Sequence, residues 1–144
     1  VPMKTATFEF TLPIVPVPAS RPRVTRQGRV YYGKNYTKFR KSAGEFIDDC
    51  TTVPASPFEG ILVVGAVFYC PKPKTTKRVL PRGDIDNYLK TLDVFNGVLW
   101  VDDDQIAVWT GTKCFSTNPR IELEVTDYGE LYPPRAVREM RQQR

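Results

Sequence analysis

Near the start of the chain, Phe8, Phe10 and Leu12 alternate with polar neighbours, and Pro13 follows. A period of two puts alternate side chains on opposite faces of a strand, so residues 6 to 12 predict a half-buried strand. Ile14 to Asn35 is rich in proline, glycine and basic residues and has no apolar period, which predicts an irregular loop. With Thr37 as N-cap, Phe39, Ala43, Phe46, Ile47 and Cys50 recur at helical spacing, and Pro54 and Pro57 end the pattern. Ile61 to Tyr69 is continuous in apolar and β-branched residues, as a central strand would be. A second helix is expected from Asp86 or Asn87, with Leu89, Leu92 and Phe95 on one side and Asn96-Gly97 at its end. The following VLWV reads as a short strand. Ile106 to Phe115 and the strictly alternating Ile121 to Val125 read as two more. The order β-α-β-α-β-β predicts an α+β fold, a mixed sheet with two helices mainly on one face.

A chain of 144 residues fits a single domain. Residues 1–133 are expected to form it and 134–144 a basic tail, and Val1-Pro2 ahead of Met3 reads as an addition before a natural start. The longest apolar run, Ile61 to Cys70, is ten residues, whereas a membrane-spanning helix needs roughly 20. No signal peptide is visible, and the odd, scattered Cys50, Cys70 and Cys114 read as reduced core thiols. A cytoplasmic protein without a membrane partner is expected. The chain has no histidine, which excludes His-based triads and every metal site that needs imidazole. Acid, base or metal chemistry must therefore rest on carboxylates, lysine or tyrosine.

The net charge of +5 is unevenly spread. Arg21, Arg23, Arg26, Arg29, Lys34, Lys38, Arg40 and Lys41 lie in a stretch without an acid, interleaved with Tyr31, Tyr32 and Tyr36. The loop after Cys70 adds Lys72, Lys74, Lys77, Arg78 and Arg82, and the tail carries Arg135, Arg138, Arg141 and Arg144. Basic loops can serve solubility alone. Two acid-free clusters ahead of an acidic segment fit nucleic acid better, since each phosphate neutralised releases counterions. Arg21, Arg23, Arg26, Arg29, Lys74, Lys77, Arg78 and Arg82 are the expected DNA contacts.

The acidic segment is GDIDNYLKTLDVFNGVLWVDDDQI. Asp84 and Asp86, two apart in extended chain, project to one side just before the second helix, and Lys90 follows Asp86 by one helical turn. If the Asp102-Asp103-Asp104 turn folds back toward that helix start, three or more carboxylates converge. Like charges about 4 Å apart repel by roughly 4 kcal/mol at an effective dielectric of 20, so three such pairs cost on the order of 10 kcal/mol. A raised pKa or a hard divalent cation would relieve this, and oxygen-only donors favour Mg²⁺ or Mn²⁺. A cation so held activates water for phosphodiester hydrolysis. Simpler roles exist: Asp84 and Asp86 as helix caps, the aspartate run as a solvated turn. A calcium loop begun at Asp84 fails, because its sixth position would be Leu89 and its last Phe95. Trp100 and Trp109 are expected in the core, and Tyr31, Tyr32 and Tyr36 either pack the loop or stack on DNA.

D-x-D-N-x-x-K at Asp84 to Lys90, N-G-V-x-W-x-D-D-x-Q-I at Asn96 to Ile106, and P-x-x-R-P-R-x-T-R-x-G-R-V-Y at Pro18 to Tyr31 resemble the RusA family of Holliday junction resolvases, which includes many phage members. The resemblance implies a homodimer that cuts four-way DNA junctions by paired nicks, with Mg²⁺ as cofactor, Mn²⁺ as substitute and no small-molecule cofactor. It also implies Asp84, Asp86 and Asp103 as metal-binding catalytic residues, Lys90 as a further catalytic residue and Asp102 as an auxiliary ligand. A Mg²⁺ nuclease acting on flaps, forks or other branches, and a non-catalytic DNA-binding protein, are the alternatives.

Overall fold

The computed structural model describes residues 6–129; Val1-Pro2 and the tail from residue 134 lie outside them. The alternation of Phe8, Phe10 and Leu12 becomes β1 (Ala6–Leu12). Within the proline- and glycine-rich stretch the chain forms a small antiparallel ribbon, β2 (Arg23–Val24) paired with β3 (Val30–Tyr31). This corrects the expectation of a wholly irregular loop. Its turn is closed locally, since Thr25 Oγ1 accepts from the Arg29 N–H at 3.0 Å and Gly28 takes φ +81°.

Helix α1 (Lys34–Asp48) begins earlier than the expected Thr37 cap, with Gly33 as N-cap. The Gly33 N–H donates to Ser20 Oγ at 3.1 Å, and its carbonyl accepts from the Thr37 N–H at 3.0 Å, so Thr37 lies inside the first turn. Tyr36, Phe39, Ala43 and Ile47 form its buried face. After β4 (Leu62–Cys70) comes α2 (Ile85–Leu89), which tightens at once into a 3₁₀ helix, Lys90–Phe95. The buried Thr91 hydroxyl donates to the Tyr88 carbonyl at 2.6 Å, a side-chain bond that competes with regular helix geometry at the point of change.

The VLWV segment is not a strand. The Val98 and Leu99 N–H groups both donate to the Phe95 carbonyl at 2.9 and 3.0 Å, and Gly97 takes φ +78°. The chain turns there, and Trp100 makes only isolated bridges to Phe58 and Asn96. β5 (Ile106–Phe115) and β6 (Arg120–Asp127) then complete a mixed four-stranded sheet in the order β1-β6-β4-β5. β4 and β5 run parallel, joined by the crossover through α2, and β6 is antiparallel to both β4 and β1. The fold is the expected single α+β domain.

One face of the sheet carries Phe10, Leu12, Leu62, Val64, Ala66, Phe68, Ile121, Leu123 and Val125, all buried. Phe46 of α1 meets Phe10 edge to face at 6.4 Å and Tyr88 of α2 tilts against Phe68 at 5.4 Å, so α1 and α2 lie over this face. Burial along β4 alternates, with Val63, Gly65, Val67 and Tyr69 only half-buried on the other side. That side is polar, with Glu9, Thr110, Thr112, Glu122 and Glu124 around a shallow hollow. All three cysteines are free, and Cys70 alone is buried, which corrects the reading of all three as core thiols. Among the described residues no helix is long and apolar enough to cross a membrane.

Candidate active site

The turn before α2 is gripped at three successive carbonyls. Lys113 on β5 donates from Nζ to the carbonyls of Pro81 at 2.8 Å and Gly83 at 2.5 Å. Between them, the Tyr88 hydroxyl donates to the Arg82 carbonyl at 2.6 Å. Burial pushes the Tyr88 phenol well above its ordinary pKa, so it stays a donor at any physiological pH. Gly83 has φ +99°, and a Cβ there would press on Pro18 and Tyr88 at 3.1–3.2 Å. Asp84 follows as the N-cap residue of α2, exposed and without a capping side-chain hydrogen bond. Helix capping therefore does not account for its carboxylate.

α2 itself sits close on the sheet because β5 offers Gly111 beneath it: a Cβ there would meet Leu89 at 3.0 Å and Ile85 at 3.1 Å. This close approach sets the height of Asp86 and Lys90 above the sheet. The N-terminal basic segment is tied to the same helix, through the Ala19 N–H donating to the Asn87 carbonyl at 2.7 Å. The segment around Pro18 to Tyr31 and the one around Asp84 to Lys90 are thus brought side by side.

The aspartate turn is anchored from the opposite direction. Asp102 caps the short 3₁₀ helix Asp103–Gln105, and Gln105 Oε1 accepts from the Asp102 N–H at 2.9 Å. Gln105 Nε2 spends both its hydrogens on the carbonyls of Phe58 at 2.8 Å and Gly60 at 3.0 Å. Trp100 is fully buried and donates from Nε1 to Asn96 Oδ1 at 2.6 Å. The motif residues Asn96, Trp100 and Gln105 therefore build the turn that presents the carboxylates.

Asp86, Lys90 and Asp103 line one cleft of about 600 Å³, together with Arg21, Asp93 and an apolar and aromatic wall. Asp84 is not among its lining residues. The Asp103 carboxyl titrates above the ordinary aspartate range, first through its hydrogen bond with Asp102, then through desolvation and the negative charges of Asp102, Asp104 and Asp93. Such crowding of like charge is relieved by a cation. No group of three or more acidic or cysteine side chains among the described residues is close enough to hold a metal ion. Mg²⁺ asks for less, since it commonly takes one or two protein carboxylates and completes its shell with water and phosphate oxygens. Asp86 and Asp103, two hard donors on one cleft, fit that ion.

Of the basic residues, Arg40 is engaged: Nη1 lies 2.9 Å from Asp93 Oδ2 and donates to Tyr36 Oη at 3.1 Å. The Arg40–Asp93 pair, Lys113 and the two-carbonyl clamp of Gln105 carry no signal in sequence spacing, because their partners lie far along the chain. Arg23, Arg26 and Arg29 stand on the exposed ribbon, and Lys74, Lys77, Arg78 and Arg82 on the exposed loop between β4 and α2. Among the described residues the other ion pair is Arg120–Glu122, so these seven cations have no acidic partner there.

Comparison with curated proteins returns no match. The family model described as Endodeoxyribonuclease RusA matches residues 13–126, from the end of β1 almost to the end of β6, and so includes both basic clusters, the gripped turn and the aspartate turn. With that match over most of its length, the chain belongs to the RusA family of endodeoxyribonucleases.

Proposed function

We propose that this protein resolves four-way DNA junctions as a homodimer, making paired nicks with a divalent cation, Mg²⁺ or in its place Mn²⁺, at each active site. The observation that carries this reading is the shared cleft of Asp86, Lys90 and Asp103, which Arg21 also lines. Asp86 and Asp103 would hold the cation, with Asp102 beside Asp103 as an auxiliary carboxylate and Asp84 presented by the turn just before α2. When bound, the cation supplies Lewis acidity to the phosphodiester. The Lys90 ammonium offsets charge on the phosphate and keeps it from being repelled by the carboxylates. Arg21 at the cleft wall, with Arg23, Arg26 and Arg29 on the ribbon and Lys74, Lys77, Arg78 and Arg82 on the loop, draws the DNA backbone toward the acids. Twofold symmetry suits the task, because an isologous dimer presents two equivalent sites to a pseudo-symmetric junction.

The test is cleavage of a labelled four-way junction in Mg²⁺ by wild type, Asp84→Asn and Asp103→Asn, with junction binding measured in EDTA. Wild type should nick opposed strands in pairs, and the variants should cut at least 100-fold more slowly while binding within about twofold. A faster reaction on a flap of equal sequence would move the substrate to other branched DNA. Binding without cleavage by wild type in both Mg²⁺ and Mn²⁺ would overturn the enzymatic reading.

A further inference from the structure

The lining of the cleft at the acidic site is of two kinds. Asp86, Lys90 and Asp103 are charged, whereas Pro22, Tyr32, Tyr36, Leu89 and Trp109 offer apolar or aromatic wall. A phosphate and a hydrated cation use the first kind and have nothing to gain from the second. A nucleotide has use for both, because one sugar away from its phosphate it carries a flat, largely apolar base. The volume, about 600 Å³, is that of a small-molecule site. Tyr32 is 44% exposed although it is aromatic, and it stands edge to face with the buried Tyr36 at 5.4 Å and 88°. Tyr36 is in turn held by Arg40. The Tyr32 ring is thus fixed by its neighbour while part of it stays open to solvent. Trp109 is held in the same way from below, edge to face with the fully buried Trp100 at 6.5 Å.

We propose that this aromatic wall receives one unstacked nucleobase next to the scissile phosphate. The inference rests on the reading of the cleft as an endonuclease site and names a further subsite of it. In continuous duplex the base faces are hidden by their neighbours, and a base must leave the stack to reach a side pocket. At a branch point stacking is already interrupted, so the base turns out at lower cost. Stacking on an aromatic side chain is tolerant of base identity. The pocket therefore selects branched over linear DNA by the availability of a base rather than by its sequence.

The test is fluorescence anisotropy in EDTA, with four-way junctions that carry an abasic nucleotide at each position around the branch point in turn. Wild type, Tyr32→Ala and Tyr32→Phe are compared. At one position, loss of the base should weaken wild-type binding fivefold or more. Tyr32→Ala should weaken binding of the intact junction by a similar factor and show no further loss on the abasic one, and Tyr32→Phe should behave as wild type. Additive losses, or wild-type affinity indifferent to base removal at every position, would overturn the proposal. Because the measurement needs no cleavage, a protein that cuts but ignores base removal fails here alone. One that senses the base but cuts nothing fails as a nuclease alone.

Discussion

Gln105 shows how one side chain can decide whether a site exists. Its amide uses Oε1 on the Asp102 N–H and Nε2 on the carbonyls of Phe58 and Gly60, all at 2.8–3.0 Å. Replacing it by alanine leaves two carbonyls and one N–H without partners. Gln105→Ala should lower stability by about 1–3 kcal/mol, read as a lower denaturation midpoint at unchanged slope. It should also slow cleavage, because Asp103 loses the anchor of its turn. Unchanged stability would mean that water replaces the amide without cost. At this scale the site is partly legible in the sequence: Asp86, Lys90 and Asp103 stand out as chemistry in an otherwise apolar and polar pattern, and they do line one cleft. Lys113 is invisible there. A lysine in a strand reads as a solvated charge, and nothing in the sequence says that carbonyls some 30 residues away curl back over it.

Among elements, β5 carries the positioning of the site: Gly111 lets α2 down onto the sheet, and Lys113 holds the turn that leads to Asp84. Hydrogen bonds from a charged donor contribute about 1.5–3 kcal/mol each. Lys113→Met keeps the stem and removes the donor. It should reduce the cleavage rate at least tenfold while junction affinity in EDTA stays within twofold; an equal loss of affinity would make Lys113 a DNA-binding residue instead. β1 and β6 are legible because each buries one face and so alternates in sequence, and β4 because its run is continuously apolar. β1 and β5 even keep the expected ends. The ribbon and the Phe95–Val101 turn are not. Ribbon residues 23, 24, 30 and 31 are all exposed, so no burial pattern marks them. The apolar VLWV looks like a strand because Leu99 and Trp100 are buried, yet they fill the core from a turn.

For the whole molecule, charge and apolar surface are sorted by face. The exposed ribbon presents Arg23, Arg26 and Arg29 with Val24, Val30 and Tyr31, while the uncovered sheet face bears Glu9, Glu122 and Glu124. DNA is therefore expected on the ribbon side. Replacing the three ribbon arginines together by alanine should weaken binding to junction and duplex alike. It should also flatten the dependence of log affinity on log salt by about 0.9 for each phosphate that is no longer neutralised. An unchanged slope would place the DNA elsewhere. The position of β6 has another consequence, for how the molecule comes into being. It is the last strand among the described residues, yet it lies between β1 and β4, with Ala6 opposite Asp127. A nascent chain exposes the open edges of β1 and β4 until residue 127 has been made, so the sheet closes only after nearly every other element has left the ribosome. Pairing over such sequence distances folds slowly, on the order of milliseconds to seconds. Unpaired strand edges favour aggregation, so the interval before β6 inserts is when aggregation of this chain is expected.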